Sequence, residues 1–321
     1  MYQPISPIPV RPWTLNGLSE RLIVSHYENN YGGAVRALNT VRSELAALDA
    51  GAAMTAYRLR ALKREELIAM GSVALHELYF GNLGGEGNKV PDQVRAMLDE
   101  HFGSVTAWRR EFVGAAQSLA GGSGWVLLTY SRREKRLWNQ IASDHSQAAV
   151  DAAPVLALDM YEHAYHLDFG ANATAYIDAF MRNVDWAAVA DRMLSARADR
   201  ALPEGDPSDK SLPSLSIEEL CAQLSTGERV QLVDARPRHH ISRTVDLMEG
   251  ATWRDPDRIE EWIGELSRDQ PVAVYCAYGF HVGCIVTKAL RERGFDARYI
   301  RGGISAWYAA GGARALRRAG D

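Results

Sequence analysis

The sequence predicts two domains of different class: an α+β domain over 1–197 and an α/β domain with a parallel sheet over 213–321, joined by a linker over 198–212. Helical periodicity dominates the first half and gives way to a few strands, the pattern of a helical hairpin followed by a mixed α/β part. Strands and helices alternate in the last third, which implies a parallel sheet covered on both faces. The junction itself falls in a stretch, about 198–216, with three prolines (Pro203, Pro207, Pro213), several acids and little that can pack.

Taken in order, apolar residues recur at helical spacing from Leu18 to Leu48, with Leu38, Val41, Leu45 and Leu48 on one face. A second helix is expected from Lys63 to Phe80, ending in Gly81-Asn82-Leu83-Gly84-Gly85, and a third from Pro91 to Leu119. Trp125–Tyr130 and Arg136–Ile141 read as two strands around the charged turn 131–135. Val155–Leu158 suits a buried strand that delivers Asp159 at its end, and helix returns from Thr174 to Ala196. Past the linker, helices are expected over Ile217–Leu224, Asp257–Leu266, Val282–Arg293 and Gly303–Ala310. The strands there are Val230–Asp234, Val272–Cys276 and Ala297–Ile300.

With 47% apolar and 24% charged residues, the 321-residue chain has ample core material for a soluble globular protein. A net charge of −4 argues against nucleic-acid partners and anionic membrane surfaces. No run approaches the ~20 apolar residues that span a bilayer, and the first ten residues hold no leader-like apolar core. Three cysteines, Cys221, Cys276 and Cys284, suit free thiols in a reducing compartment, so a cytoplasmic location is expected.

The run Asp159-Met160-Tyr161-Glu162-His163-Ala164-Tyr165 sets a carboxylate and an imidazole in a stretch apolar enough to be core. Burial of such groups is costly unless each has a partner. His26 and His76 occur in similar apolar and aromatic settings. Three imidazoles with one carboxylate suit a borderline ion such as iron, manganese or zinc. Spacing alone does not assemble these four residues, and a lone buried histidine is more often a hydrogen-bonded core residue.

Several motifs give the cluster a family context. His26-Tyr27-Glu28-Asn29 followed by Val35 and Leu38-Asn39, His76 with Tyr79-Phe80, Gly122-Ser123-Gly124-Trp125, and Asp159 through Tyr165 resemble, in that order, the signature segments of iron/manganese superoxide dismutases. The similarity covers roughly residues 10–195. It implies that His26, His76, Asp159 and His163 ligate one iron or manganese ion per subunit, cycling between +3 and +2 to convert superoxide to dioxygen and hydrogen peroxide. It places Glu162, Trp125, His166 and Asn30 around that cofactor. It also implies a homo-oligomer, a dimer or tetramer, in which Glu162 reaches the ligand histidine of the partner subunit.

The sequence departs from the family just outside the ligands. The usual His-His pair is Asn30-Tyr31, and the family's gateway tyrosine position is Ala34, leaving Tyr31 as the nearby phenol. The signature tryptophan is Tyr161, and the tyrosine expected after Ala164-Tyr165 is His166. The glutamine that hydrogen-bonds metal-bound solvent in the family is absent from both of its positions, which hold Ser72 and His145. Iron and manganese therefore both remain open. His145 is expected to take the solvent-facing role.

In the second domain, Cys276 falls just past the buried strand Val272–Tyr275, and Ala277-Tyr278-Gly279-Phe280-His281 leads into a helix. Backbone N–H groups at a helix N-terminus favour a thiolate nucleophile. Leu232-Val233-Asp234-Ala235-Arg236, the Cys276 loop and Arg301-Gly302-Gly303-Ile304-Ser305-Ala306-Trp307 resemble a rhodanese-type sulfurtransferase domain over about 213–315. That resemblance implies that Cys276 carries sulfane sulfur from a donor as a persulfide, with His281 where the family often has arginine. A substitute reading makes the sulfurtransferase the active part and the metal domain a diverged dimerisation scaffold or redox sensor.

Overall fold

Ser19 starts the first helix because its hydroxyl accepts the Leu22 N–H at 3.1 Å, satisfying one of the orphan donors of a helix start. In the computed structural model, which describes residues 2–49, 55–198, 211–244 and 246–316, that helix is α1 (Glu20–Ser25). It runs into a π-helical turn, His26–Tyr31, and on into α2 (Gly32–Asp49). The sequence pattern showed the helix but not the π turn, which adds one residue to the winding and so re-aims the side chains on it. Leu22 and Ile23 are fully buried, worth about 1.5–3 kcal/mol each. Thr55 caps α3 (Ala56–Phe80), which begins seven residues before the expected Lys63 and packs against α2.

The helix expected over 91–119 is two: α4 (Asp92–Phe102) and α5 (Val105–Ser118). Gly103 takes a left-handed φ of 80° that ends α4, and the Ser104 hydroxyl accepts the Ala107 N–H to start α5. Strands β1 (Trp125–Ser131), β2 (Arg136–Ala142) and β3 (Ala152–Asp159) form an antiparallel sheet in the order β2-β1-β3. Its register pairs Trp125 with both Ala142 and Asp159, so the ends of all three strands that matter for the site lie together. Pro154, which has no N–H, sits on the edge strand where the register shifts opposite Leu128 and Thr129.

After β3 come a 3-10 turn (Glu162–Ala164), the one-turn α6 (His166–Phe169), α7 (Ala173–Arg182) and α8 (Trp186–Ala198). The single helix expected over 174–196 breaks because Asn183 Nδ2 donates to Asn16 O at 2.8 Å, and Asp185 then caps α8.

The remainder is an α/β unit: β4 (Ser214–Leu215), α9 (Ile217–Ser225), β5 (Gln231–Asp234), α10 (Arg238–Ile241), β6 (Asp246–Met248), β7 (Ala251–Trp253), α11 (Ile259–Trp262), β8 (Val272–Tyr275), α12 (Val282–Glu292), β9 (Ala297–Ile300), α13 (Gly303–Ala309) and β10 (Arg314–Leu316). Five of these strands make a parallel sheet in the order β4-β9-β8-β5-β7, as the alternating pattern predicts. Val233, Val272 and Val274 pack under Val286, Leu290 and Trp262 to form its core. Strands β4, β6, β7 and β10 were not foreseen, and the helix expected over 257–266 is shortened to α11 and a 3-10 turn. Most of the expected linker, 199–210, lies outside the described residues.

Contacts divide the chain into Met1–Gln3 with Pro9–Gly205, and Pro4–Ile8 with Asp206–Asp321. Among the described residues no helix is long and apolar enough to cross a membrane.

Candidate functional site

Four elements of the first unit deliver one cluster. His26 opens the π turn, His76 lies on α3, Asp159 ends β3, and His163 sits in the 3-10 turn that follows. Their potential ligand atoms all lie within 4.8 Å of one another. Asp159 Oδ2 is the hub, 3.1 Å from His26 Nε2, 3.1 Å from His163 Nε2 and 3.7 Å from His76 Nε2. His26, His76 and Asp159 are buried, and the His163 side chain keeps 25% of its surface exposed.

The protonation pattern follows from the partners. His76 Nδ1 lies 2.7 Å from the Ser72 carbonyl, which only accepts, so the proton sits on Nδ1. Nε2 is then a lone pair facing a carboxylate, and it is a buried atom with no hydrogen-bond partner. Burial, with the neighbouring His26 charge, lowers the His76 pKa to about 3, and burial also lowers that of His26. Burial alone would raise the Asp159 carboxyl. Hydrogen bonds from His163 and His26 outweigh it and hold the group below the usual carboxylate range. Three imidazoles gathered on one carboxylate are the donor set of a metal site. The orphaned His76 Nε2 is what a cation among them would satisfy, so these residues fit iron or manganese.

The surrounding shell is built largely by backbone. Asp159 Oδ1 accepts the Tyr161 N–H at 2.8 Å, and the Tyr176 hydroxyl donates to the Asp159 carbonyl at 2.7 Å. Tyr176 has no signal in the sequence beyond an apolar helix face. Ser72, whose side chain is short, acts through its carbonyl. Trp125 Nε1 donates to His145 Nδ1 at 2.9 Å, and an indole only donates, so neutral His145 carries its proton on Nε2. The His145 ring stacks on Tyr161 at 4.9 Å and lies 6.1 Å from the His76 ring. Burial lowers its pKa, favouring the neutral form.

Gly71 permits this approach: a Cβ there would lie 1.9 Å from the His145 carbonyl. Gly71→Ala is expected to push the His145 segment off α3 at a cost of about 1–3 kcal/mol, measured by chemical denaturation.

Tyr31 is buried, its ring 6.5 Å from that of His76, and its hydroxyl donates to Glu77 Oε1 at 2.7 Å. Asn30 and Ala34 are half-buried, while Glu162 and His166 are exposed.

In the second unit Cys276 follows β8 and is buried, with its Sγ accepting the Gly279 N–H at 3.3 Å. Glycines let this loop fold against the β9–α13 turn. A Cβ on Gly279 would meet Gly302 N at 2.4 Å, and one on Gly303 would meet Cys276 O at 2.3 Å. Through that gap Ile304 N–H donates to Cys276 O at 2.9 Å and Ser305 N–H to Ala277 O at 3.1 Å. His281 is exposed at the head of α12, and Cys284 is buried within it. Asp234 and Arg236, both buried, form a forked ion pair beneath the sheet end.

Residues 90–192 match the iron/manganese superoxide dismutase C-terminal domain, and residues 216–310 match the rhodanese-like domain. The chain is 51% identical to a protein named superoxide dismutase [Fe] from Cupriavidus metallidurans, over 62% of this chain and 100% of that one. It is 32% identical to superoxide dismutase [Fe] from Aquifex pyrophilus, over 58% of this chain and 89% of that protein. It is 33% identical to superoxide dismutase [Mn] from Haloarcula marismortui, over 57% and 91%. With three histidines and an aspartate gathered in one cluster and a relative 51% identical matched over its whole length, the chain belongs to the iron/manganese superoxide dismutase family.

Proposed function

We propose that the protein is a superoxide dismutase with one iron or manganese ion per subunit, held by His26, His76, Asp159 and His163. The observation that carries this reading is the hub geometry at Asp159 Oδ2, with His76 Nε2 left as an unpartnered lone pair. When bound, the ion would supply the one-electron redox chemistry that dismutation of superoxide requires. The chain's own residues do the rest. Asp159 and the three imidazoles would hold the ion, and the Ser72 carbonyl keeps His76 in the tautomer whose Nε2 lone pair is free to bind it. Trp125 holds His145 with its Nε2–H available as a donor, since each hydrogen peroxide formed takes up two protons. Tyr31 is the phenol that serves in place of one at residue 34.

The same reading makes the protein a cytoplasmic, oxidative-stress enzyme and a homodimer or tetramer. Exposed Glu162 and His166 and half-buried Asn30 then face the partner subunit. The metal domain is taken as 1–197, the linker as 198–212 and the sulfur domain as 213–321. Bound metal and superoxide dismutation, measured together on purified protein, test the proposal. Metal-loaded protein no more active than free ion would remove it.

The Cys276 loop favours a second activity. The Cys276 thiolate attacks the outer sulfur of a sulfane donor, a Cys276 persulfide forms, and the remainder of the donor leaves with the electron pair. His281 is the one basic side chain of the loop, and no arginine or lysine lies within 276–281. Mass spectrometry after thiosulfate or mercaptopyruvate should show one added sulfur, absent from Cys276→Ser. A persulfide on a dismutase-inactive, metal-bound protein would instead support sulfur transfer on a diverged scaffold or redox sensor.

A further inference from the structure

Arg192, on α8, is a buried cation for which no carboxylate among the described residues serves as an ion-pair partner. Its Nη2 donates to Gly81 O at 2.8 Å and Asn82 Oδ1 at 2.7 Å, Nη1 reaches Gly81 O at 3.4 Å, and Nε donates to Val155 O at 3.3 Å. Asn82, fully buried, passes the connection on: its Nδ2 donates to Ala157 O at 3.0 Å. Its own carbonyl accepts the Asp185 N–H at 2.6 Å. Burial lowers the guanidinium pKa to about 10, but leaves it charged at neutral pH.

The acceptors belong to two elements. Gly81 and Asn82 end α3, five and six residues after His76, and Val155 and Ala157 lie in β3, four and two residues before Asp159. The guanidinium also lies at the negative end of the α3 dipole. A well-packed apolar side chain commonly stabilises as well as a buried charge does. What arginine adds is direction, because its N–H groups form a rigid planar fork.

We infer that Arg192 and Asn82 are positioning residues for the metal site, clamping the end of α3 to β3 and so setting His76 against Asp159. A metal site tolerates errors of only about 0.5 Å in its ligands, and neither element carries both donors. The inference rests on the reading that the four-residue cluster binds iron or manganese. It does not depend on that site turning over superoxide.

The test uses the metal-loaded full chain and two readouts: the rate of metal release to a chelator well below the melting temperature, and the optical spectrum of the iron form. Arg192→Met and Asn82→Leu are each expected to release metal at least tenfold faster with an altered spectrum, whereas Arg192→Lys, which keeps a donor, releases it at an intermediate rate. Phe112→Leu, a cavity variant on α5, serves as the control for lost stability. Release from Phe112→Leu as fast as from an Arg192→Met protein of equal melting temperature would reduce the clamp to general stability and overturn the inference. A wild-type chain that takes up neither metal would overturn it together with the dismutase reading. Metal uptake without dismutation would overturn the dismutase reading alone.

Discussion

Asp159→Ala is expected to purify with metal at background level and with no dismutation above free ion, measured by elemental analysis and superoxide decay. The reason is the central place of its carboxylate: Oδ2 lies 3.1 Å from His26 Nε2 and His163 Nε2 and 3.7 Å from His76 Nε2, while Oδ1 accepts the Tyr161 N–H. Removal of Asp159 also leaves the buried His26 ring and the Tyr161 N–H without their acceptor, at about 1–3 kcal/mol each, so the variant melts earlier. Asp159→Asn keeps the shape and an oxygen for Tyr161, and separates loss of metal from loss of fold.

The metal-free chain carries a pH dependence of definite sign. The Asp159 carboxyl and the His76 and His26 imidazoles are all held below their ordinary pKa values in the folded state. Each contribution is fully present above the unfolded value and is lost as pH falls, because the unfolded chain then binds protons that the folded chain refuses. Denaturant midpoints of the metal-free protein should fall from about pH 6.5, where unfolded histidine begins to charge, down toward the His76 value of about 3. A flat profile across that window would contradict the buried, neutral His76.

Gly303→Ala is expected to abolish persulfide loading on Cys276 while leaving metal content unchanged. The added Cβ would lie 2.3 Å from Cys276 O and 2.8 Å from the Ala277 carbonyl, on a residue with φ of +57°. Both the strained conformation and the clash with backbone must be relieved, at about 1–3 kcal/mol each. Relief breaks the bonds from Ile304 and Ser305 that hold the Cys276 loop. The measurement is sulfur uptake by mass spectrometry alongside the metal content of the same preparation. A variant that still loads sulfur would show that the loop is held from elsewhere.

Much of this architecture could be read before folding. The elements that bear His76, Asp159 and Cys276 were legible because their apolar periodicity is strong and local. The break at Gly103-Ser104 had a signal, a glycine stop followed by a serine cap, but the apolar periodicity across 91–119 concealed it. The break at Asn183 had none, because its cause is a hydrogen bond to Asn16, 167 residues away. Strands of two or three residues, such as β4 and β6, are too short to show a period of two.

The sequence by itself determined the two fold classes and the cysteine at a strand end, each of which depends on residue type and on spacing within one element. The four candidate donors, on four separate elements, were named by the family resemblance and not by spacing. Only the tertiary structure decided that Asp159 Oδ2 is the common point of three imidazoles, that a backbone carbonyl at Ser72 sets the His76 tautomer, and that Trp125 sets that of His145. It also brought Arg192 onto both ligand-bearing elements. The physical reason is the same throughout. A ligand set needs atoms placed to a fraction of an ångström, and that placement comes from strand register and from hydrogen bonds between residues such as His26 and Asp159, 133 positions apart.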